Sequence, residues 1–209
     1  MFYKLKENFT AESIPPHIIK KINGVSYHEN KDITLDDLVY LKVLHYDFLG
    51  NICKGELIAN IKLAKELLKI FSELFDEKYP IEKLKLVDEF NADDEISMIN
   101  NNSSCFNYRV IADTNTISMH GLGRAVDINP LYNPYIVGEK VMPSAGEPYA
   151  DRSKSFPYKI DETDFCYKIF KKYGWLWGGH WNNSKDYQHF YKPDGKIKRA
   201  VMKIKNKFK

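Results

Sequence analysis

Residues 41–78 constrain the fold more than any other stretch. Residues 41–48 (LKVLHYDF) and 52–59 are two β-prone runs around Leu49-Gly50-Asn51. A Gly-Asn turn between such runs predicts a β-hairpin. Directly after it, across residues 60–78, Ala64, Leu67, Leu68, Phe71, Leu74 and Phe75 recur at spacings of three and four. That period places them on one face of a helix. Lys65, Lys69, Glu73 and Glu77 fall largely on the other face. Asn60 is placed to cap the helix, and Pro80 to end it. A hairpin that feeds straight into an amphipathic helix needs both apolar faces covered by a core, which points to an α+β domain.

The remaining elements are shorter. Pro15-Pro16 predicts a short helix over 17–22, and Thr34 opens a turn over 34–38. Residues 84–90 (LKLVDEF), 108–112, 125–129 and 189–192 read as strands. Residues 91–104 (NADDEISMINNNSS) read as a long polar loop, and the proline-rich stretch 131–160 as an irregular insertion or a lid. A second helix is expected over 163–173, with Gly174 as its stop. The expected architecture is a single α+β domain, with a small antiparallel sheet and flanking helices. Residues 1–35 form an N-terminal extension, 36–195 the domain and 196–209 a basic tail.

Several classes of function can be set aside. The formal net charge is only +3, and Lys and Arg are interspersed with Asp and Glu, so no nucleic-acid surface is expected. No run of 18 apolar residues exists, so no membrane span is expected. Residues 1–16 lack an apolar core of the signal-peptide kind. Cys53, Cys105 and Cys166 are sparse and odd in number, which fits neither a disulfide framework nor a zinc ribbon. They are expected to pack as small apolar residues.

Two stretches carry chemistry. Ser118-Met119-His120-Gly121-Leu122-Gly123-Arg124-Ala125-Val126-Asp127-Ile128-Asn129-Pro130 sets a histidine and an aspartate around two glycines. Glycine permits positive φ and close backbone approach, so His120 and Asp127 can converge from a turn and the adjoining strand. Zinc takes nitrogen and carboxylate ligands, three of them in a catalytic site. Asp186 and His189 offer a second carboxylate and a second imidazole. By spacing alone each pair reads more readily as an ordinary hydrogen-bonded pair than as metal ligands.

The two stretches together resemble a known family. SMHGLGRAVDINP resembles the SxHxxGxAxD signature of VanY-type zinc D-alanyl-D-alanine carboxypeptidases. That family includes D-alanyl-D-alanine dipeptidases and L-alanyl-D-glutamate endopeptidases. WGGHWNNSKDYQHF resembles its second signature, and SCFNYRVIA its arginine-bearing stretch. The resemblance runs from about residue 36 to 191. It implies the α+β fold of Hedgehog-like and D-Ala-D-Ala peptidase domains, with one zinc ion on His120, Asp127 and His189. It implies Asp186 as general base and Arg109 beside the scissile carbonyl or the substrate carboxylate. Ser118 and Trp181 are assigned to substrate contact.

The substrate implied is a peptidoglycan stem peptide, cut as a D,D-carboxypeptidase or as an L-alanyl-D-glutamate endopeptidase. A non-catalytic zinc-containing wall-binding module is the alternative of another class. A monomer is expected, and the family context implies an extracytoplasmic or wall-associated location through a segment outside this chain, with a cytoplasmic location as the alternative. His180 departs from the acidic residue expected after the two glycines, and it is not assigned to the metal. Asp93-Asp94-Glu95 reads as a solvated acidic loop and Asp151-Arg152 as a local ion pair. Of Trp175, Trp177 and Trp181, at least two are expected in the core.

Overall fold

The computed structural model describes residues 3–111, 114 and 116–195. The predicted hairpin forms its centre. Strand β3 (Leu38–Tyr46) pairs antiparallel with β4 (Ile52–Asn60) in unbroken register from Leu38↔Asn60 to Tyr46↔Ile52. Gly50 adopts φ 81° in the turn, a conformation open to glycine at no steric cost. Two strands ahead of it, β1 (Tyr3–Lys6) and β2 (Phe9–Glu12), extend the sheet in the order β1-β2-β3-β4. Residues before 36 therefore share the sheet, and Phe9 and Ala11 share its core.

Helix α2 (Ala64–Asp76) covers this sheet. Leu67, Leu68, Ile70, Phe71 and Leu74 are each at most 1% exposed. Burial of such side chains contributes roughly 1.5–3 kcal/mol apiece, which is why the apolar period dictates the packing. Asn60 caps as expected, accepting a hydrogen bond from the Lys62 N–H at 3.2 Å, but it caps a 3-10 turn (Ile61–Leu63) ahead of α2. Helix α1 (Pro16–Ile22) and the turn Leu35–Asp37 lie where proline and Thr34 put them. A second core joins Ile14, Ile18 and Ile22 of this region to Leu38, Tyr40 and Ile58 on the other face of the hairpin.

Several expectations change. Residues 84–90 do not form one strand. Only Lys83–Leu84 (β5) pairs, with Asn102–Ser103 (β6) in parallel, and Val87–Phe90 turns as a 3-10 helix. Leu84 and Leu86 are buried as their alternation suggested. The Asp88 carboxylate, however, accepts from the Ser26 N–H and Oγ at 3.2 and 2.9 Å, and this tie across 62 residues bends the chain. The polar stretch 91–104 is not a loop. It holds helix α3 (Asp94–Ile99), capped by Asp93, which accepts from the Ile96 N–H at 2.9 Å. Asn101, Asn102 and Ser103 are each at most 1% exposed, because their side chains satisfy backbone groups of neighbouring segments. Residues 108–112 form no strand among the described residues; Val110 makes an isolated bridge to Ile117, and Ala112 lies outside the described set.

The stretch 131–160 is more ordered than its prolines suggested. It contains the hairpin β8 (Tyr135–Val137) and β9 (Lys140–Met142), then a 3-10 segment Ser144–Tyr149. Arg152 does not pair with Asp151, which binds Lys154 at 3.3 Å. Its guanidinium instead donates to the Ile160 and Tyr132 carbonyls at 2.8 and 3.0 Å and to Asn133 Oδ1 at 3.2 Å, tying the stretch to itself. Helix α4 (Phe165–Lys172) follows, capped by Asp164 and ended at Gly174, φ 75°. A second antiparallel sheet, β10 (Leu176–Trp177), β12 (His189–Tyr191) and β7 (Ala125–Asp127), runs in that order and carries the site. The molecule is thus mixed α+β, with small sheets and a few helices. The tail 196–209 lies outside the described residues.

Candidate metal centre

The register of the second sheet brings the two predicted halves of the site together. His189 on β12 stands directly opposite Asp127 on β7. Side chains of opposed residues project from the same face of a sheet. Nδ1 of His189 lies 2.9 Å from Asp127 Oδ1. His120 comes from the 3-10 turn His120–Leu122 just before β7, and its Nε2 lies 3.1 Å from both Asp127 Oδ2 and His189 Nδ1. Ligand atoms of all three residues lie within 4.8 Å of one another.

The glycines between His120 and Asp127 make this convergence possible. Gly123 has φ 62°, and a Cβ there would sit 2.6 Å from the Asn60 nitrogen. The turn is docked on that residue, whose N–H donates to the Gly123 carbonyl at 2.8 Å. At Gly121 a Cβ would meet Ile117 at 2.8 Å and the Arg109 carbonyl at 3.0 Å. Its absence lets the segment bearing Arg109 lie against the turn. That segment is also pinned by Ser118 N–H donating to the Arg109 carbonyl (3.0 Å) and Asn107 N–H to the His120 carbonyl (3.3 Å).

A brace that sequence reasoning missed holds the cluster from behind. Ser104 exchanges both backbone hydrogen bonds with Asp127, at 2.9 and 3.1 Å. The next carbonyl, Cys105, accepts from His120 Nδ1 at 2.6 Å. Nδ1–H is thereby committed, and the lone pair of His120 is left on Nε2, facing Asp127 and His189. Such an outer partner fixes both tautomer and ring orientation in metal-binding histidines. No signal in Ser104-Cys105 itself announces the role, because it is played by backbone atoms.

The electrostatics fit a cation. A neutral His120 would turn its Nε2 lone pair on a carboxylate oxygen in a buried site, a repulsion that a proton on Nε2 or a cation between the donors relieves. Burial disfavours the charged form of His120, yet the Asp127 carboxylate outweighs it and raises the pKa above the usual histidine value. Burial lowers that of His189, with Asp127 opposing. Asp127 is pushed up by burial, but the two imidazoles hold it well below the usual carboxylate range. Two imidazole nitrogens and a carboxylate oxygen are the donor set that zinc accepts.

The cluster opens on a cleft of about 610 Å³. Arg109, Ser118, Trp181 and Asp186 all line it, so the structure brings every predicted site residue to one cavity. Asp186, on β11 (Lys185–Asp186), pairs across to Tyr135 on β8, so the proline-rich stretch supports the strand of this carboxylate. Gly178 packs against it: a Cβ there would lie 2.6 Å from the Asp186 carbonyl oxygen and 2.7 Å from its Cβ. Asp186 Oδ1 is buried without a partner. Burial, and then the charge of Asp127, push its carboxyl well above the usual range, against the opposing effects of Gln188 and Arg109. Ser118 Oγ accepts from the His120 N–H at 3.2 Å, so it also steadies the turn.

Trp181 edges His189 at 5.4 Å between ring centroids, whereas Trp175 and Trp177 are buried in the core. His180 pairs with Glu162 at 3.1 Å and does not line the cleft. Cys105 and Cys166 are buried thiols, and Cys53 is half-buried. Asp94, read from sequence as solvated, binds Arg109 and accepts from Asn107 Nδ2 at 2.8 Å.

A buried His-Asp-His donor set beside the Asp186 carboxyl and an arginine, on the rim of a small sheet, is a site compatible with a bound metal ion. Residues 112–192, which hold the whole cluster, match a family described as D-alanyl-D-alanine carboxypeptidase. No curated protein and no solved structure matches the chain.

Proposed function

We propose that this protein is a zinc-dependent peptidase that hydrolyses peptidoglycan stem peptides. The observation that carries the reading is the convergence of His120, Asp127 and His189 in the same cleft as Asp186 and Arg109. Zinc on the three ligands supplies Lewis acidity toward a water and a scissile carbonyl. Asp186 accepts the proton of the attacking water and returns it to the leaving amine. The Arg109 guanidinium faces the negative charge that develops on the carbonyl oxygen, and such a stabiliser typically lowers the barrier by about 2.7–4 kcal/mol. Ser118 and the Cys105 carbonyl keep His120 oriented. Trp181 gives the substrate an apolar wall.

In the D,D-carboxypeptidase reading, Arg109 receives the free carboxylate of the terminal residue. The L-alanyl-D-glutamate endopeptidase reading sets the free α-carboxylate of the γ-linked D-glutamate beside the scissile bond, so it makes the same demand on Arg109. Arg109 is the sole lysine or arginine lining the cleft among the described residues, and it is already engaged by Asp94. Mass spectrometry of a defined stem pentapeptide separates the two. Loss of the terminal D-alanine identifies the carboxypeptidase, and release of the tetrapeptide beginning at D-glutamate identifies the endopeptidase. An intact pentapeptide and intact muropeptides, with the protein fully zinc-loaded, would refute the peptidase reading and favour the wall-binding module.

A further inference from the structure

Helix α3 reaches the cleft from a stretch whose composition suggests only a solvated loop. Its first residue, Asp94, ion-pairs with Arg109 across 15 residues of sequence, and both side chains line the cleft. Asp94 is itself held. Asn107, 5% exposed, donates from Nδ2 to Asp94 Oδ1 at 2.8 Å and also to the Ala92 carbonyl at 3.1 Å. Asn107 and Arg109 belong to the segment locked to the His120 turn, so the guanidinium is fixed from both its backbone and its head. Glu95, the next residue on α3, also lines the cleft, and it accepts from the Ser144 N–H at 2.8 Å.

The consequence is electrostatic. A guanidinium carries a single positive charge, and a carboxylate already paired with it weakens its attraction for a second one. Asp94 meets the guanidinium at Nε and offsets its charge, so a carboxylate on the substrate approaches a wall that already carries Asp94 and Glu95. We propose that Asp94 is a specificity-determining residue: it fixes Arg109 and, by occupying its charge, turns the cleft away from peptides with a free carboxylate beside the scissile bond. Peptides whose residue after that bond has no free carboxylate, its carboxyl being amidated or carried on into the chain, are the class that fits. This inference rests on the peptidase reading only for where the substrate lies.

The test compares binding rather than turnover. Two versions of one short stem peptide are prepared, free acid and C-terminal amide, and their affinities for the zinc-loaded protein are measured by calorimetry at low temperature with Asp186→Asn in the background. In that background alone the amide should bind at least as tightly as the acid. Adding Asp94→Asn, which keeps the shape and removes the charge, should shift the acid-to-amide affinity ratio toward the acid by about tenfold or more, the size expected for a hydrogen bond to a charged group. Asp94→Glu should restore the original preference. Metal content and thermal melting of each variant show that the fold and the cluster persist. An unchanged ratio in Asp94→Asn overturns the proposal, and so does preference for the acid before Asp94 is changed. If neither peptide binds while zinc is stoichiometric, the peptidase reading itself falls, and this assignment with it.

Discussion

The Gly178→Ala substitution adds a single methyl group at a point where the structure leaves it no room. The new Cβ would stand 2.6 Å from the Asp186 carbonyl oxygen and 2.7 Å from Asp186 Cβ, against an ordinary contact distance of 3.4 Å or more. Backbone is the obstacle, so no side chain can swing away. The Asp186 segment must retreat by roughly 0.7–0.8 Å, or Gly178 must. Overpacking of this kind typically costs about 1–3 kcal/mol of stability. The functional cost is larger, because a displacement near 1 Å of a reacting group is worth about 10²-fold in rate. None of His120, Asp127 or His189 contacts the added methyl among the nearest atoms, so zinc content should stay at the wild-type level. The assay is kcat/KM on the peptide found to be cut, alongside metal analysis and thermal melting. Wild-type kcat/KM in a stably folded Gly178→Ala would refute the claim that this glycine sets the place of Asp186.

Three further outcomes follow from the geometry. Asp186→Asn should keep zinc bound yet lose about 10²–10⁴-fold in turnover, the usual worth of a proton-transferring group; full activity removes Asp186 from the role of base. His120→Ala should lose the metal, since it deletes the ligand braced by Cys105, and stoichiometric zinc in the purified variant would sink that assignment. The last concerns stability against pH, away from the site. Burial raises Asp164 from 3.8 to about 6, against its cap bonds to the Cys166 and Tyr167 N–H groups and its bond from Tyr79. The folded protein then holds a proton that the unfolded chain releases, so this group destabilises the fold increasingly as pH rises from about 4 to about 6. The loss is on the order of 2–3 kcal/mol. Asp164→Asn keeps a cap oxygen and should remove that decline, and urea titrations of the two proteins that stay parallel from pH 4 to 7 would contradict it.

The sequence by itself determined the hairpin, α2, α4 and the identity of the residues able to hold a metal. Periodicity and caps are local, and the apolar face of α2 and the turn at Gly50 report on burial and φ without reference to distant residues. The SxHxxGxAxD pattern likewise exposes its donors and its glycines. Tertiary structure decided what local signals cannot carry. Residues 84–90 turn because Asp88 is tied to Ser26, and 91–104 is a helix and a strand because its asparagines satisfy carbonyls and amides elsewhere. The same holds at the site. Nothing in Ser104-Cys105 announces the backbone that orients His120 and Asp127, and nothing in Asp93-Asp94-Glu95 says that Asp94 meets Arg109. Side-chain chemistry is written residue by residue, but the partner of a backbone carbonyl or of a carboxylate is fixed only when the chain has closed on itself.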